Sequence, residues 1–226
     1  MTKSTPMVTV DSAFFALCDV SDASGYHDGL RVICVERDLA VATNGHIVAA
    51  LSHAIKWDKA GPFAPFCVLA TDIERIGKSL GKSKKFVRVH APDSDGKVRI
   101  EPEDGGATFT VQSQDIRFPD WRRCINNRHE PKECGMIGLN SDYLARFSRI
   151  IGSRNGWRGH EDNPHNLTLR FNGDSSVVWV THTHCDGFFG AIMPVRLERS
   201  VETEPGREDA LRAKWLEPEV SAEVAA

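Results

Sequence analysis

The feature that most constrains this fold is repetition: one order of elements, strand, helix and then three strands, recurs three times before residue 197 of the 226-residue chain. The first copy reads as a strand over 7–10, a helix started by Asp11 with Phe14, Phe15, Leu17 and Cys18 on its apolar face, and strands over 31–36, 39–43 and 46–52. The second opens with a strand over 65–69. Thr71-Asp72-Ile73-Glu74 has the pattern of a capping box, and Ile73, Ile76 and Leu80 form a helical stripe. Its strands alternate clearly over 87–90, 97–101 and 108–112, with Gly96 and Gly105-Gly106 as turns. The third has a strand over 135–139, a helix capped by Asn140 with Tyr143, Leu144, Phe147, Ile150 and Ile151 on one face, and strands over 166–171, 177–181 and 188–193. A repeated supersecondary unit specifies a fold more strongly than a single motif does, and this one belongs to the α+β class.

Composition narrows the functional classes. No apolar run approaches the roughly 20 residues that span a bilayer, and the first six residues carry no apolar leader core. A chain in the cytoplasm, without membrane attachment, is expected. The six cysteines contain no CxxC pair, which suits free thiols in a reducing compartment. A formal net charge of −3 argues against non-specific coating of nucleic acid, but after Leu197 eight acidic residues face four basic ones. The body before that tail is therefore close to neutral, with its positive charge concentrated locally.

Three separated stretches carry a resemblance: Ala42-Thr43-Asn44-Gly45-His46-Ile47-Val48-Ala49, Phe118-Pro119-Asp120-Trp121-Arg122-Arg123, and Met193-Pro194-Val195-Arg196-Leu197. In this order they are similar to motifs of the bacterial DNA polymerase III β-subunit, the sliding clamp. The resemblance covers about 7–197 and implies a DNA clamp (processivity) fold of repeated βαβββ units, sheets outside and helices on the inner face. It divides the chain into a two-unit clamp domain (1–128), like the middle domain of bacterial clamps, a third unit (129–197), like the second half of their last domain, and an acidic tail (198–226).

The resemblance also implies a pocket that docks short partner peptides, those with a Gln and a downstream Leu-Phe pair. Its walls are expected from Thr43, Gly45, His46 and Val48, from Pro119 and Ile125, and from Met193, Pro194, Val195, Arg196 and Leu197. Methionine adapts to varied apolar anchors and proline stiffens a wall. Asn44 stands where the family has an acidic residue, Ile47 where it has a basic one, and Val195 where it has a second methionine; these swaps shift ligand preference but keep a pocket. The segment 210–216, with Leu211 and Trp215, is amphipathic enough to fold back on that pocket.

A clamp holds duplex DNA by phosphate contacts from its inner helices, without reading bases. Candidates are Arg75, Lys78 and Lys82, spaced opposite the apolar stripe, then Lys84 and Lys85, and on the third helix Arg146 and Arg149, followed by Arg154 and Arg158. The first helix lacks Lys and Arg and is bordered by Asp11, Asp19 and Asp22. Expected partners are thus encircled double-stranded DNA, polymerases and repair proteins with clamp-binding motifs, and a clamp loader. A three-unit chain needs four copies for a twelve-unit ring, which gives a homo-oligomer, a tetramer if the ring closes.

No nucleophile elbow, P-loop, dinucleotide fingerprint or paired-carboxylate signature occurs, so no enzyme and no cofactor are expected. His182-Thr183-His184-Cys185-Asp186 offers metal-ligating types without a distant partner cluster and reads as a hairpin turn. The rival reading is a clamp-derived module or decoy that captures clamp-binding motifs, or the host clamp itself, without encircling DNA.

Overall fold

The computed structural model describes residues 7–54, 63–81, 86–125, 137–154, 163, 165–171, 173 and 176–195. Lys82, Lys84, Lys85, Cys134, Arg158, Arg196, Leu197 and the tail with Leu211 and Trp215 lie outside the described residues.

Each repeat forms close to where its hydrophobic period places it. The first comprises β1 (Met7–Asp11), α1 (Ala13–Ala16, continued as a 3-10 turn over Leu17–Asp19), β2 (Val32–Val35), β3 (Leu39–Thr43) and β4 (Ile47–Ser52). The second comprises β5 (Phe66–Leu69), α2 (Ala70–Leu80), β6 (Phe86–His90), β7 (Lys97–Pro102) and β8 (Phe109–Gln114). After a short helix, α3 (Trp121–Ile125), the third supplies α4 (Ser141–Gly152), β9 (Leu167–Arg170), β10 (Val178–His182) and β11 (Phe188–Ile192).

The strands form one antiparallel sheet in the order β1-β6-β7-β8-β5-β2-β3-β4-β11-β10-β9. This order reveals an exchange that periodicity cannot show. The strand before each helix leaves its own unit: β1 pairs with β6 of the second unit, from Met7↔His90 to Asp11↔Phe86. Reciprocally, β5 pairs with β2 of the first, from Val32↔Leu69 to Val35↔Phe66. The third unit joins through β11 and β4, from Phe188↔Leu51 to Ile192↔Ile47.

All three long repeats direct one apolar face to a common core. Val8, Ile33, Ala42, Val87, Val98 and Val180 from the sheet meet Phe14, Ile73, Ile76, Phe147, Ile150 and Ile151 from the helices. Each fully buried side chain of this size contributes about 1.5–3 kcal/mol. The helices touch in a row, α2 against α1 and α1 against α4, and cover one side of the sheet. Two glycines permit close approach: a Cβ at Gly77 would stand 2.9 Å from Phe15, and one at Gly190 would stand 3.0 Å from the Phe147 ring.

Three local expectations need correction. Asp11 ends β1 rather than capping α1; Ser12 occupies the N-cap, although Asp11 Oδ1 still accepts the Ala13 N–H at 3.0 Å. The capping box at Thr71 does not form, because β5 runs directly into α2 with Leu69 at the N-cap. The Ala70 N–H is satisfied instead by the Arg31 carbonyl at 3.0 Å, which supplies one of the partners that a helix start needs. The strand expected over 135–139 is reduced, within its described part, to one bridge, Gly138↔Val195. Asn140 does cap α4, its side chain accepting the Asp142 N–H at 2.9 Å. The His182–Asp186 stretch is the β10–β11 turn, and among the described residues no His, Cys, Asp and Glu cluster could hold a metal. Nor is any helix there long and apolar enough to cross a membrane.

Candidate functional site: an apolar cleft between the first and third units

The cleft begins with the turn between β3 and β4. Thr43 Oγ1 donates to the Ile47 carbonyl at 2.7 Å and accepts the Gly45 N–H at 3.1 Å. Asn44 Oδ1 accepts from the backbone of both His46 and Ile47 at 2.9 Å. This turn needs an oxygen acceptor at 44 but not a charge, so Asn in the place of an acid keeps its shape. Gly45 sits at φ 87°, where a side chain would be strained.

The second wall follows β8. Phe118 packs with Val32, Cys34, Cys67, Leu69 and Ile116 in a small cluster separate from the main core. That anchor places Pro119 and starts α3, whose Trp121, Cys124 and Ile125 recur at helical spacing on the side facing the cleft. The helix is fastened from across the sheet: Trp121 Nε1 donates to Glu36 Oε1 at 3.2 Å, and Arg122 Nη1 to the same oxygen at 2.9 Å. Arg122 Nη2 pairs with Glu36 Oε2, and the guanidinium lies 4.4 Å from the centre of the Trp121 ring. Burial pushes the Glu36 carboxyl up, but the bonds from Arg122 and Trp121 outweigh it and hold the group below its ordinary value.

The third wall is the end of β11. Ala191 and Met193 face the cleft two residues apart, as alternation requires, and Val177 adds an apolar edge before β10. The Met193 N–H donates to the His46 carbonyl at 2.8 Å, joining this wall to the first. His46 in turn stacks on Tyr143 of α4, ring centres 6.4 Å apart.

These walls enclose about 210 Å³. Seven residues expected from the sequence line the cleft: Thr43, Gly45, His46, Val48, Pro119, Ile125 and Met193. Pro194 and Val195 are not among its described lining; the Val195 N–H turns to the Gly138 carbonyl at 2.8 Å. Leu30, Asp120, Trp121, Cys124, Val177 and Ala191 line it without having been anticipated. Trp121 and Cys124 had a signal, an i, i+3, i+4 apolar pattern with Ile125, which five residues made too short to read as a helix.

On the helix layer the expected cations that lie among the described residues are engaged. Arg75 pairs with Asp72 at 2.8 Å and Lys78 with Glu74 at 2.6 Å. Arg146 donates to the Asp19 carbonyl and Arg149 to the Asp19 carboxylate, both at 2.8 Å. The acidic first helix is thereby bridged by α4. Arg154 differs in kind: with its side chain only 18% exposed it pairs at 3.1 Å with Asp11, and it ties the end of α4 to β1.

No protein-family model matches the chain, and no curated protein matches its sequence. Solved structures do. The chain is similar to the DNA polymerase III β subunit of Thermotoga maritima with a TM-score of 0.55 and 14% identity, covering 87% of this chain and 67% of that one. For the sliding clamp of Caulobacter crescentus the TM-score is 0.57 at 18% identity, covering 87% and 68%. For the DNA polymerase III subunit beta of Pseudomonas aeruginosa it is 0.57 at 15%, covering 87% and 68%. The fold is that of the bacterial sliding clamp, and the chain spans about two thirds of these proteins.

Proposed function

We propose that this clamp-folded chain is a processivity factor: a non-catalytic scaffold that docks polymerase or repair proteins by a short peptide and holds them near duplex DNA. The observation that carries the reading is convergence. Residues near 43–48, 119–125 and 191–193 are far apart in sequence, yet they wall one apolar cleft between two repeats. Clefts that capture linear motifs combine an apolar floor, a few polar edges and fixed backbone. Here Met193 is 43% exposed at the rim, and the His46 turn and α3 are locked by the bonds described above. Pro194 and Val195 then form the approach to the cleft. The division into a two-unit domain and a third unit accompanies this reading. The test is calorimetric titration with a peptide carrying a Gln and a downstream Leu-Phe pair, with a scrambled peptide as control.

A second reading, a peptide-capturing module that never encircles DNA, is favoured by the paired state of the helix cations. Arg75, Lys78, Arg146 and Arg149 are offset by Asp72, Glu74 and Asp19, which leaves a weak field for phosphates. Retention on nicked circular DNA, compared with release after linearisation, separates the two.

A further inference from the structure

The third repeat is half of an arrangement that the first two repeats complete for each other. In the first unit the strand before the helix bonds its own unit on one side, the Ala54 N–H donating to the Thr9 carbonyl at 3.0 Å, and pairs with β6 on the other. The third unit repeats the first half of this relation: the Val195 N–H donates to the Gly138 carbonyl at 2.8 Å. Neighbouring residues of a strand direct their backbone groups to opposite sides. Ile137 and Leu139 therefore offer theirs away from Val195, and among the described residues no strand pairs with that side. The outer edge of β9, the counterpart of β2 and β6, likewise has no strand beside it among the described residues.

Burial points the same way. Where the exchange is made, the inward residues of both strands are closed off: Val8 and Val10 against Val87 and Val89 are no more than 3% exposed, and Ile33, Val35 and Val68 are 0% exposed. In the third unit, Ile137 and Leu139, and Leu167 and Leu169 of β9, alternate with more polar or smaller neighbours in the same manner, yet all four are only partly buried. Two incomplete edges, each with an apolar side chain at every second position, are complementary to each other. In both completed cases the strand before the helix runs along the first strand after the helix of the other unit, never along that of its own.

We infer that two copies of this chain join through their third units, each laying its strand at 137–139 antiparallel along β9 of the other. The product is a two-unit domain shared between chains, with the isologous two-fold contact that such reciprocity requires. This inference rests on repeat geometry and not on the peptide cleft, so either stands if the other fails.

The experiment is native mass measurement of the full chain over a dilution series, with hydrogen exchange followed at 137–139 and 167–170. The expected result is a dimer whose β9 amides are as protected as those of β2 and lose protection on dilution. Leu169→Lys should give a monomer that retains the parent circular dichroism spectrum. A parent that stays monomeric at every concentration overturns the inference. So does a dimer in which protection does not rise at β9, or one that survives Leu169→Lys unchanged. Should Leu169→Lys fail to fold, the exchange pattern of the parent alone decides.

Discussion

The backbone N–H of Met193 donates to the carbonyl of His46 at 2.8 Å, across 147 positions of sequence, and this bond joins the walls that the first and third repeats give to the cleft. It continues the β11–β4 pairing one step past Ile192↔Ile47, so the position of the methionine is a consequence of sheet register and not of a loop. The side chain is left free at the rim. Met193→Ala should therefore weaken peptide binding by about 1–3 kcal/mol, and Trp121→Ala by at least as much, as expected for truncated anchors. Met193→Ala should leave the melting temperature nearly unchanged, since the residue is already 43% exposed. Paired calorimetry and thermal denaturation check both halves.

Acidification should loosen the sheet region behind α3 in two steps. His53 is buried, and desolvation holds its pKa below the ordinary 6.5 despite the Glu36 carbonyl that it meets at 2.8 Å. The folded state then binds fewer protons than the unfolded one, and stability is lost as pH falls below about 6.5. Glu36, held below the ordinary 4.5, contributes stability that is present above that value and lost as pH falls through its folded value. Glu36→Gln should lower the melting temperature at neutral pH, and its difference from the parent should vanish in strong acid. Equal melting curves at neutral pH would show that the Arg122 and Trp121 bonds contribute nothing.

Thiol chemistry provides an independent reading of the cleft. Cys124 is exposed and lines it, whereas Cys34, Cys67 and Cys185 are buried and Cys18 is pushed up to about 12, chiefly by burial. A reagent reaches an exposed thiol before a shielded one, so a maleimide at neutral pH should label Cys124 well before these four. A bulky adduct there should block peptide binding, and Cys124→Ser should bind peptide normally while escaping the block. Mass spectrometry of the labelled peptides and calorimetry of the adduct supply the readouts.

Much of this was legible in the sequence, for a physical reason. The repeats are amphipathic at periods of two and 3.6, so Ile73, Ile76 and Leu80, or Phe147, Ile150 and Ile151, disclose their buried face without knowledge of what covers it. What covers it is a non-local choice. The exchange of β1 and β5 leaves every side-chain pattern unchanged and could not be read. Helix α3 was missed because one turn has no period, and Ala191 because it is too small to advertise a role. The cations on α2 and α4 were found from spacing, but their engagement by Asp72, Glu74 and Asp19 depends on rotamers and on the α1–α4 contact.

Reversal of Arg75, Lys78, Arg146 and Arg149 to acidic residues should abolish retention on circular DNA if the helix layer holds a duplex. The same change should leave peptide binding intact, because none of the four lines the cleft. Binding to DNA by the parent should fall steeply with salt and show no sequence preference, since counterion release supplies it. Equal retention of parent and variant on nicked circles would assign the chain to the peptide-capturing module.

The central claim is that the cleft walled by His46, Trp121 and Met193 takes a partner peptide. Calorimetric titration of the full chain with a peptide bearing a Gln and a downstream Leu-Phe pair tests it most directly. Saturable one-site binding, lost with a scrambled peptide and weakened by Met193→Ala and Trp121→Ala, is the predicted result. Absence of heat and of competition, in the full chain and in a variant ending at Leu197, would contradict it.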